Sequence, residues 1–272
     1  MGKVNYICVT KKIEEKSEDS KFIVLPFYKN GEPLKDGKKW GMTLLSAGSM
    51  RFRWNEKNIL REKTLKSIAE ELHPHVCSGE CAGDEQRCNC QRQIVSIELI
   101  HSKTVFEINS QGGSFNKKGD GLITDNKMLV PVVTVADCVP LFLWDEQAKV
   151  FALAHCGWKG VVKELPLKTA QAMWQMGAKG KISGWLGPHI QSCCFEVQQD
   201  VADQFHPTSV LHKNSKLFVD LNTEIKHQLQ TAGLNPDDIR TPYYCTCGDK
   251  ENFFSWRRDH IRQNLLSFIY KP

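Results

Sequence analysis

VPVVTVADCVPLFLWDEQAKVFALAHCGW, residues 130–158, is the stretch on which the fold turns. Residues 129–136, 139–144 and 150–154 are short runs of β-branched, aliphatic and aromatic side chains. They read as buried strands. Upstream, residues 94–100 (IVSIELI) and 104–108 read as strands too, and the Gly-, Asn- and Lys-rich residues 110–121 read as a loop. Downstream, a helix is expected over 161–176 with Gly177 as its stop, and Pro166 either kinks it or delays its start. Residues 181–186 read as a further strand. Val197, Val201 and Phe205 recur at helical spacing, and Asp220 reads as the N-cap of a helix carrying Leu221, Ile225 and Leu229, ended by Gly233. Near the N-terminus, 21–26 reads as a strand, 29–39 as a turn, and 56–72 as a helix with Leu65, Ile68 and Leu72 on one face. Residues 253–270 mix aromatic and basic side chains. A single α+β domain over residues 1–272 accounts for this order, with the first 90 residues as a decorated lobe.

The composition excludes several classes. In 272 residues, 41% are hydrophobic and 25% charged, the balance of a folded globular chain rather than a disordered one. The formal net charge of +5 is mild for this length. It does not argue for nucleic acid and suits phosphorylated small molecules equally well. No run approaches a membrane span, and residues 1–16 alternate apolar and charged side chains without a signal-peptide core. Tyr6 stands where a myristoylation signal needs Ser or Thr. A cytoplasmic protein with no membrane partner is expected. The 11 cysteines are odd in number, which argues against a disulfide framework and for metal ligands, a nucleophile or plain thiols.

Three apolar runs end in ligand-capable side chains: IVSIELIH in His101, VPVVTVADC in Cys138 and VFALAHCGW in His155. Reactive groups at the ends of buried strands are held by a rigid scaffold. Two imidazoles and a thiolate make a three-ligand zinc set that leaves a fourth position for water or substrate. Taken singly, each residue reads equally as a satisfied structural side chain, and the spacing matches no compact zinc motif.

Three blocks carry a resemblance: ADCVPLFLWD at 136–145, HCGWKG at 155–160 and LGPHIQSCCFEV at 186–197. IELIHSKTVFEI at 97–108, GDGLITD at 119–125, Cys245–Thr246 and FFSWRRD at 253–259 extend it, all in the same order along the chain. Together they resemble the laccase-domain family, also called the purine nucleoside phosphorylase or peptidoglycan editing factor family. The resemblance implies a mixed β-sheet core flanked by helices, of laccase-type or cysteine-hydrolase-like fold. It implies His101, Cys138 and His155 as ligands of zinc, with copper as the alternative metal. It also implies phosphorolysis of adenosine, inosine or methylthioadenosine, with adenosine deamination as an associated activity. The partners implied are a purine nucleoside and phosphate, acting on a monomer or homodimer. The chain departs from the family pattern at Ser102, Cys156 and Lys159, and HIRQ follows FFSWRRD, so that Arg262 stands in for an arginine expected nearby.

Phosphorolysis needs forked donors for phosphate, for which Arg257, Arg258 and Arg262 are the candidates. A basic solvated tail is their plainer reading. Gly112–Gly113 is a weaker cradle. Deamination needs a proton shuttle, and Asp137 beside Cys138 is the nearest acid, although it reads equally as a strand-end carboxylate bonded to backbone amides. Cys138 with His155 also fits a thiol hydrolase or amidase acting on peptidoglycan precursors, and a binding module with a vestigial site is a third reading. A copper-dependent polyphenol oxidase fits less well, because a multicopper centre needs paired histidines and the 9 present are scattered. Residues 73–90 form a Cys/His-rich insertion in which Cys77, Cys81, Cys88 and Cys90, near His73 and His75, suit a second metal knot. Cys193, Cys194, Cys245 and Cys247 read as packing or incidental thiols.

Overall fold

The apolar runs become strands of two mixed sheets that face each other. The computed structural model describes residues 21–26, 28–29, 32–33, 39–52, 57–72, 92–109, 113–145, 147, 150–241 and 244–271. The 73–90 segment, with Cys77, Cys81, Cys88 and Cys90, lies outside them. In chain order the strands are β1 (Phe22–Pro26), β2 (Tyr28–Lys29), β3 (Glu32–Pro33), β4 (Lys39–Thr43), β5 (Gln93–Glu98), β6 (Val105–Glu107), β7 (Gly113–Lys118), β8 (Gly121–Thr124), β9 (Leu129–Val135), β10 (Val139–Asp145), β11 (Phe151–Cys156), β12 (Ile182–Leu186), β13 (Glu196–Val197), β14 (Val210–Lys213), β15 (Lys216–Val219), β16 (Ile239–Arg240) and β17 (Leu265–Tyr270). The helices are α1 (Ile59–Glu71), α2 (Trp158–Val162), α3 (Leu165–Gln175), α4 (Gln199–Ala202), α5 (Leu221–Thr231) and α6 (Trp256–Asp259).

One sheet has the order β1-β4-β17-β9-β5-β7 and the other β16-β12-β10-β11-β8-β6. Period-2 alternation explains the layering. In β10, Phe142 and Trp144 point between the sheets, while Val139, Leu141 and Leu143 point at the helices. In β11, Phe151 and Leu153 take the inter-sheet side and Ala152, Ala154 and Cys156 the helix side. Trp40 stacks against Phe142 at 4.9 Å in the middle of that inter-sheet layer. Both faces of each central strand are covered, so their sequences read as continuous apolar runs rather than alternating ones. Helices α3 and α5 cover one sheet, and α1 covers the other through Ile68 and Leu72. The fold is α+β, with two mixed sheets where one was expected.

Most expected elements appear, with instructive exceptions. The helix expected over 161–176 is divided: α2 ends at Val162, Glu164 is left-handed at φ 66°, and α3 begins with Pro166 in its first turn. Pro166 therefore delays a start, its missing N–H falling where no helical partner exists. Asp220 caps α5 by accepting from the Asn222 and Thr223 amides. The helix expected around Val197–Phe205 is only the four-residue α4, preceded by β13. The loop expected over 110–121 contains β7, an edge strand parallel to β5. The turn expected over 29–39 includes the small β2–β3 hairpin.

The site follows from where the chain changes sheets. Strands β9, β5 and β7 are adjacent and parallel, so their C-terminal ends lie on one side. After each, the chain passes to the second sheet: β5 to β6, β7 to β8 and β9 to β10. His101, Asp120 and Cys138 sit on those three crossings.

Candidate metal centre

His101 follows β5 and holds a left-handed backbone at φ 56°. Non-glycine residues adopt that conformation at a cost unless both peptide groups are engaged. They are: the His101 amide donates to Asp120 Oδ1 at 3.0 Å, and Lys163 Nζ donates to the His101 carbonyl at 3.0 Å. Cys138 closes the β9–β10 crossing behind Asp137, itself left-handed at φ 79°. His155 is the next-to-last residue of β11, pairs with Pro140 across the ladder, and points to the same side as Phe151 and Leu153. The His101 and His155 rings meet edge to face with centroids 4.9 Å apart, and Cys138 Sγ lies 3.9 Å from His101 Nε2. One ligand atom from each of the three lies within 4.8 Å of the others.

Asp120, within the GDGLITD segment at 119–125, organises this trio. Its carboxylate accepts from His155 Nδ1 at 2.9 Å and from the Ser102 hydroxyl at 2.7 Å, besides the His101 amide. It is fully buried, and the His155 amide donates to the Asp120 carbonyl at 2.7 Å. Burial alone would push the Asp120 carboxyl up; its bonds to His155 and Ser102 reverse this and hold it below its ordinary value. With Nδ1 taken by Asp120, His155 presents Nε2 to Cys138 and His101, the carboxylate–histidine arrangement that orients metal ligands. The sequence signals for Asp120 are its place in the GDGLITD block of the resemblance and its position between two glycines at the start of an apolar strand.

The electrostatics suit a cation. Burial pushes the Cys138 thiol up, but the imidazoles of His155 and His101 bring it down to about 6. Burial likewise lowers His155, while the Cys138 thiolate and Asp120 raise it to about 10. Each group thus favours its charged form through the other, as in a thiolate–imidazolium pair or ligands awaiting a metal. Two nitrogens and a sulfur, with an outer carboxylate, fit a zinc ion with an open position. Gly157 leaves the room: a Cβ there would stand 2.6 Å from His101 Cδ2 and 3.0 Å from Cys138 Sγ.

The trio lies at the floor of a cleft of about 1190 Å³, lined also by Phe52, Trp158, Lys159, Phe195, Trp256, Arg257 and Arg262. Of the three arginines suggested for phosphate, Arg257 and Arg262 line it. Arg257 is steadied by donating to the Glu196 carbonyl at 2.7 Å and lies over the Phe195 ring. Arg258 is a correction. Its guanidinium bonds both Asp259 oxygens and the carbonyls of Thr246, Cys247 and Phe253, which uses all five of its donors. It has none left for phosphate. Asp137 lines the cleft, but its carboxylate accepts from Thr246 Oγ1 at 2.7 Å, Ser255 Oγ at 3.0 Å and the Arg257 amide at 2.7 Å. Three donors occupy its carboxylate and make it a clamp, pinning the C-terminal segment beside Cys138. Gly112 lies outside the described residues, and Gly113 opens β7 away from this floor.

A purine nucleoside phosphorylase of Clostridium acetobutylicum is 33% identical over 184 residues, 64% of this chain and 75% of that protein. A protein named adenosine deaminase RL5, from an unknown prokaryotic organism, is 32% identical over 148 residues, 54% of this chain and 56% of its own length. The solved structure of YlmD from Geobacillus stearothermophilus superposes with a TM-score of 0.72 at 21% identity, covering 89% of this chain and 94% of that one. Residues 82–270, which carry the second sheet, strands β5, β7, β9 and β17 of the first, the Asp120-bound trio and the Asp137 clamp, match the family described as multi-copper polyphenol oxidoreductase laccase, and the chain belongs to that family.

Proposed function

We propose that the cleft is the active site of a zinc-dependent purine nucleoside phosphorylase acting on adenosine, inosine or methylthioadenosine, with adenosine deamination as a side activity. The observation that carries the reading is the clustering of His101, Cys138 and His155 within 4.8 Å at the floor of a cleft with aromatic and basic walls. Relatives named as phosphorylases and as an adenosine deaminase support the choice of substrate class. Trp158, Phe195 and Trp256 offer flat faces to a purine. Lys159, Arg257 and Arg262 supply positive charge for phosphate, Arg257 with a fork and Lys159 as a point charge. In the reaction a phosphate oxygen bonds to the anomeric carbon of the ribose. The glycosidic C–N bond breaks, its electron pair passing to the purine, which takes up a proton. When bound, zinc supplies Lewis-acid polarisation to whichever substrate atom fills its open position. The chain's own part is to fix His155 through Asp120, to hold His101 in its left-handed turn, and to keep Cys138 ionised.

One observation favours a second reading. Cys138, brought down to about 6 beside two imidazoles, also suits a nucleophile in a thiol hydrolase or amidase. A polyphenol oxidase has less support, because the described residues gather one histidine-containing donor group rather than several. The test is to incubate the purified protein with adenosine and phosphate, separate products by chromatography, and run Cys138→Ala alongside. Adenine plus ribose 1-phosphate is expected, abolished by chelation and restored by zinc. Inosine as the main product would make deamination the activity. Neither product, or equal turnover by Cys138→Ala, overturns the reading, and turnover that survives full chelation transfers it to the thiol.

A further inference from the structure

Four cysteines that the site does not use meet elsewhere. Cys193 and Cys194 lie in the turn at 192–194, and Cys245 and Cys247 lie at the turn that follows the bridge between His189 and Cys245. That bridge is fixed from both sides: the Thr246 amide donates to the His189 carbonyl at 3.0 Å and the His189 amide to the Tyr244 carbonyl at 3.3 Å. Cys193 Sγ is 3.5 Å from Cys194 Sγ and 3.7 Å from Cys245 Sγ, and the three sulfurs lie within 4.8 Å of one another. Cys247, two residues after Cys245, lies beside Cys194 but outside the mutual 4.8 Å of the other three sulfurs. Zinc bonded to four thiolates at roughly 2.3 Å sets the sulfurs roughly 3.8 Å apart, the edge of its tetrahedron. Cys245 is buried and Cys193, Cys194 and Cys247 are half-buried, so the sulfurs meet in a partly shielded space between two turns.

We infer that Cys193, Cys194, Cys245 and Cys247 form a second, structural metal site for a soft cation such as zinc, separate from the His101–Cys138–His155 centre. Cys245 carries the outer contacts expected of a ligating thiolate: the amides of Gln191 and Gly248 both donate to its sulfur at 3.4 Å. Four thiolates with no nitrogen donor leave no open position, so the site holds metal without presenting it to a substrate. Its purpose is in its neighbours. Thr246, between two of the ligands, donates to Asp137 Oδ1, and Arg258 bonds the Thr246 and Cys247 carbonyls. A metal here staples the turn that supports Asp137 and, through it, the crossing that presents Cys138.

The test reads each cysteine separately. The reduced, unmutated chain is alkylated with and without added zinc, and the labelled peptides are assigned by mass spectrometry. Zinc is expected to abolish labelling of Cys193, Cys194, Cys245 and Cys247, and a chelator to restore it. Labelling of these four that is indifferent to zinc overturns the proposal. A second measurement removes the other clustered donors: His101→Ala, Cys138→Ala and His155→Ala are combined with serine at positions 77, 81, 88 and 90. That protein is expected to take up cobalt(II) with an intense sulfur-to-cobalt band, lost on adding Cys193→Ser and Cys194→Ser. A cobalt spectrum without that band, in a variant whose circular dichroism matches the parent, also overturns it. Neither readout depends on turnover, so the phosphorylase reading stands or falls separately.

Discussion

At residue scale the centre depends on two positions that ligate nothing. Gly157 has φ −67° and ψ 156°, a conformation any residue accepts, so its glycine is needed for space alone. A Cβ there would meet His101 Cδ2 at 2.6 Å, His101 Nε2 at 3.2 Å and Cys138 Sγ at 3.0 Å. Gly157→Ala is therefore expected to keep its circular dichroism and lose bound metal and turnover; metal content equal to the parent's would refute the steric account. Asp120→Asn keeps the size but exchanges one acceptor for a donor facing either the Ser102 amide or the His155 ring. Outer-shell losses of this kind weaken metal binding by roughly 10- to 100-fold. Competition against a calibrated chelator measures it, and unchanged affinity would show that Asp120 does not orient His155. The three candidate ligands were legible because each ends an apolar run. Asp120 was not, because nothing in a linear sequence says that a carboxylate beside β8 bonds a ring at the end of β11.

At the scale of elements, composition revealed the buried strands but not their facing. Residues 139–144 and 151–154 are apolar at every position because helices cover one side and a second sheet the other. Only the register, with Pro140 opposite His155, puts Cys138 and His155 on one side. Among the strands that escaped notice, β7 is polar, while β14 and β15 hold apolar runs of only two and three residues, shorter than those by which strands are recognised. Helix α6 tests the same distinction between framework and site, because its two arginines and nearby Arg262 share a charge but not a task. Arg258→Ala orphans the carbonyls of Thr246, Cys247 and Phe253 and should cost about 3 kcal/mol of stability. Arg262→Ala removes only charge from the cleft wall. It should raise the KM for phosphate and leave the Tm unchanged. Thermal denaturation and phosphate titration of both variants separate the roles, and a Tm loss confined to Arg262→Ala would reverse the assignment.

For the whole molecule, the repeated passage of the chain between sheets has a thermodynamic consequence. Each of the crossings from β5 to β6, β7 to β8 and β9 to β10 gives one segment to both layers. Neither sheet can detach without pulling the metal-binding residues apart. The layer between them is held by large side chains: Trp40, Phe142, Trp144 and Phe151 are all essentially inaccessible, and Trp40 bridges Phe142 at 4.9 Å and Trp185 at 5.5 Å. Phe142→Ala opens a cavity in that layer and should cost about 3–5 kcal/mol. The loss should appear as one transition shifted to lower temperature, not as melting of a single sheet. Trp40 reports on one sheet and Trp144 on the other, so fluorescence of single-tryptophan variants, followed beside far-ultraviolet circular dichroism, distinguishes the two. Coincident curves, with zinc released in the same interval, are expected because His101 and Cys138 belong to crossings and His155 to β11 of the second sheet. Separate midpoints for the two tryptophans, or release of zinc well before either, would mean that the centre rests on local loops and not on the joined sheets.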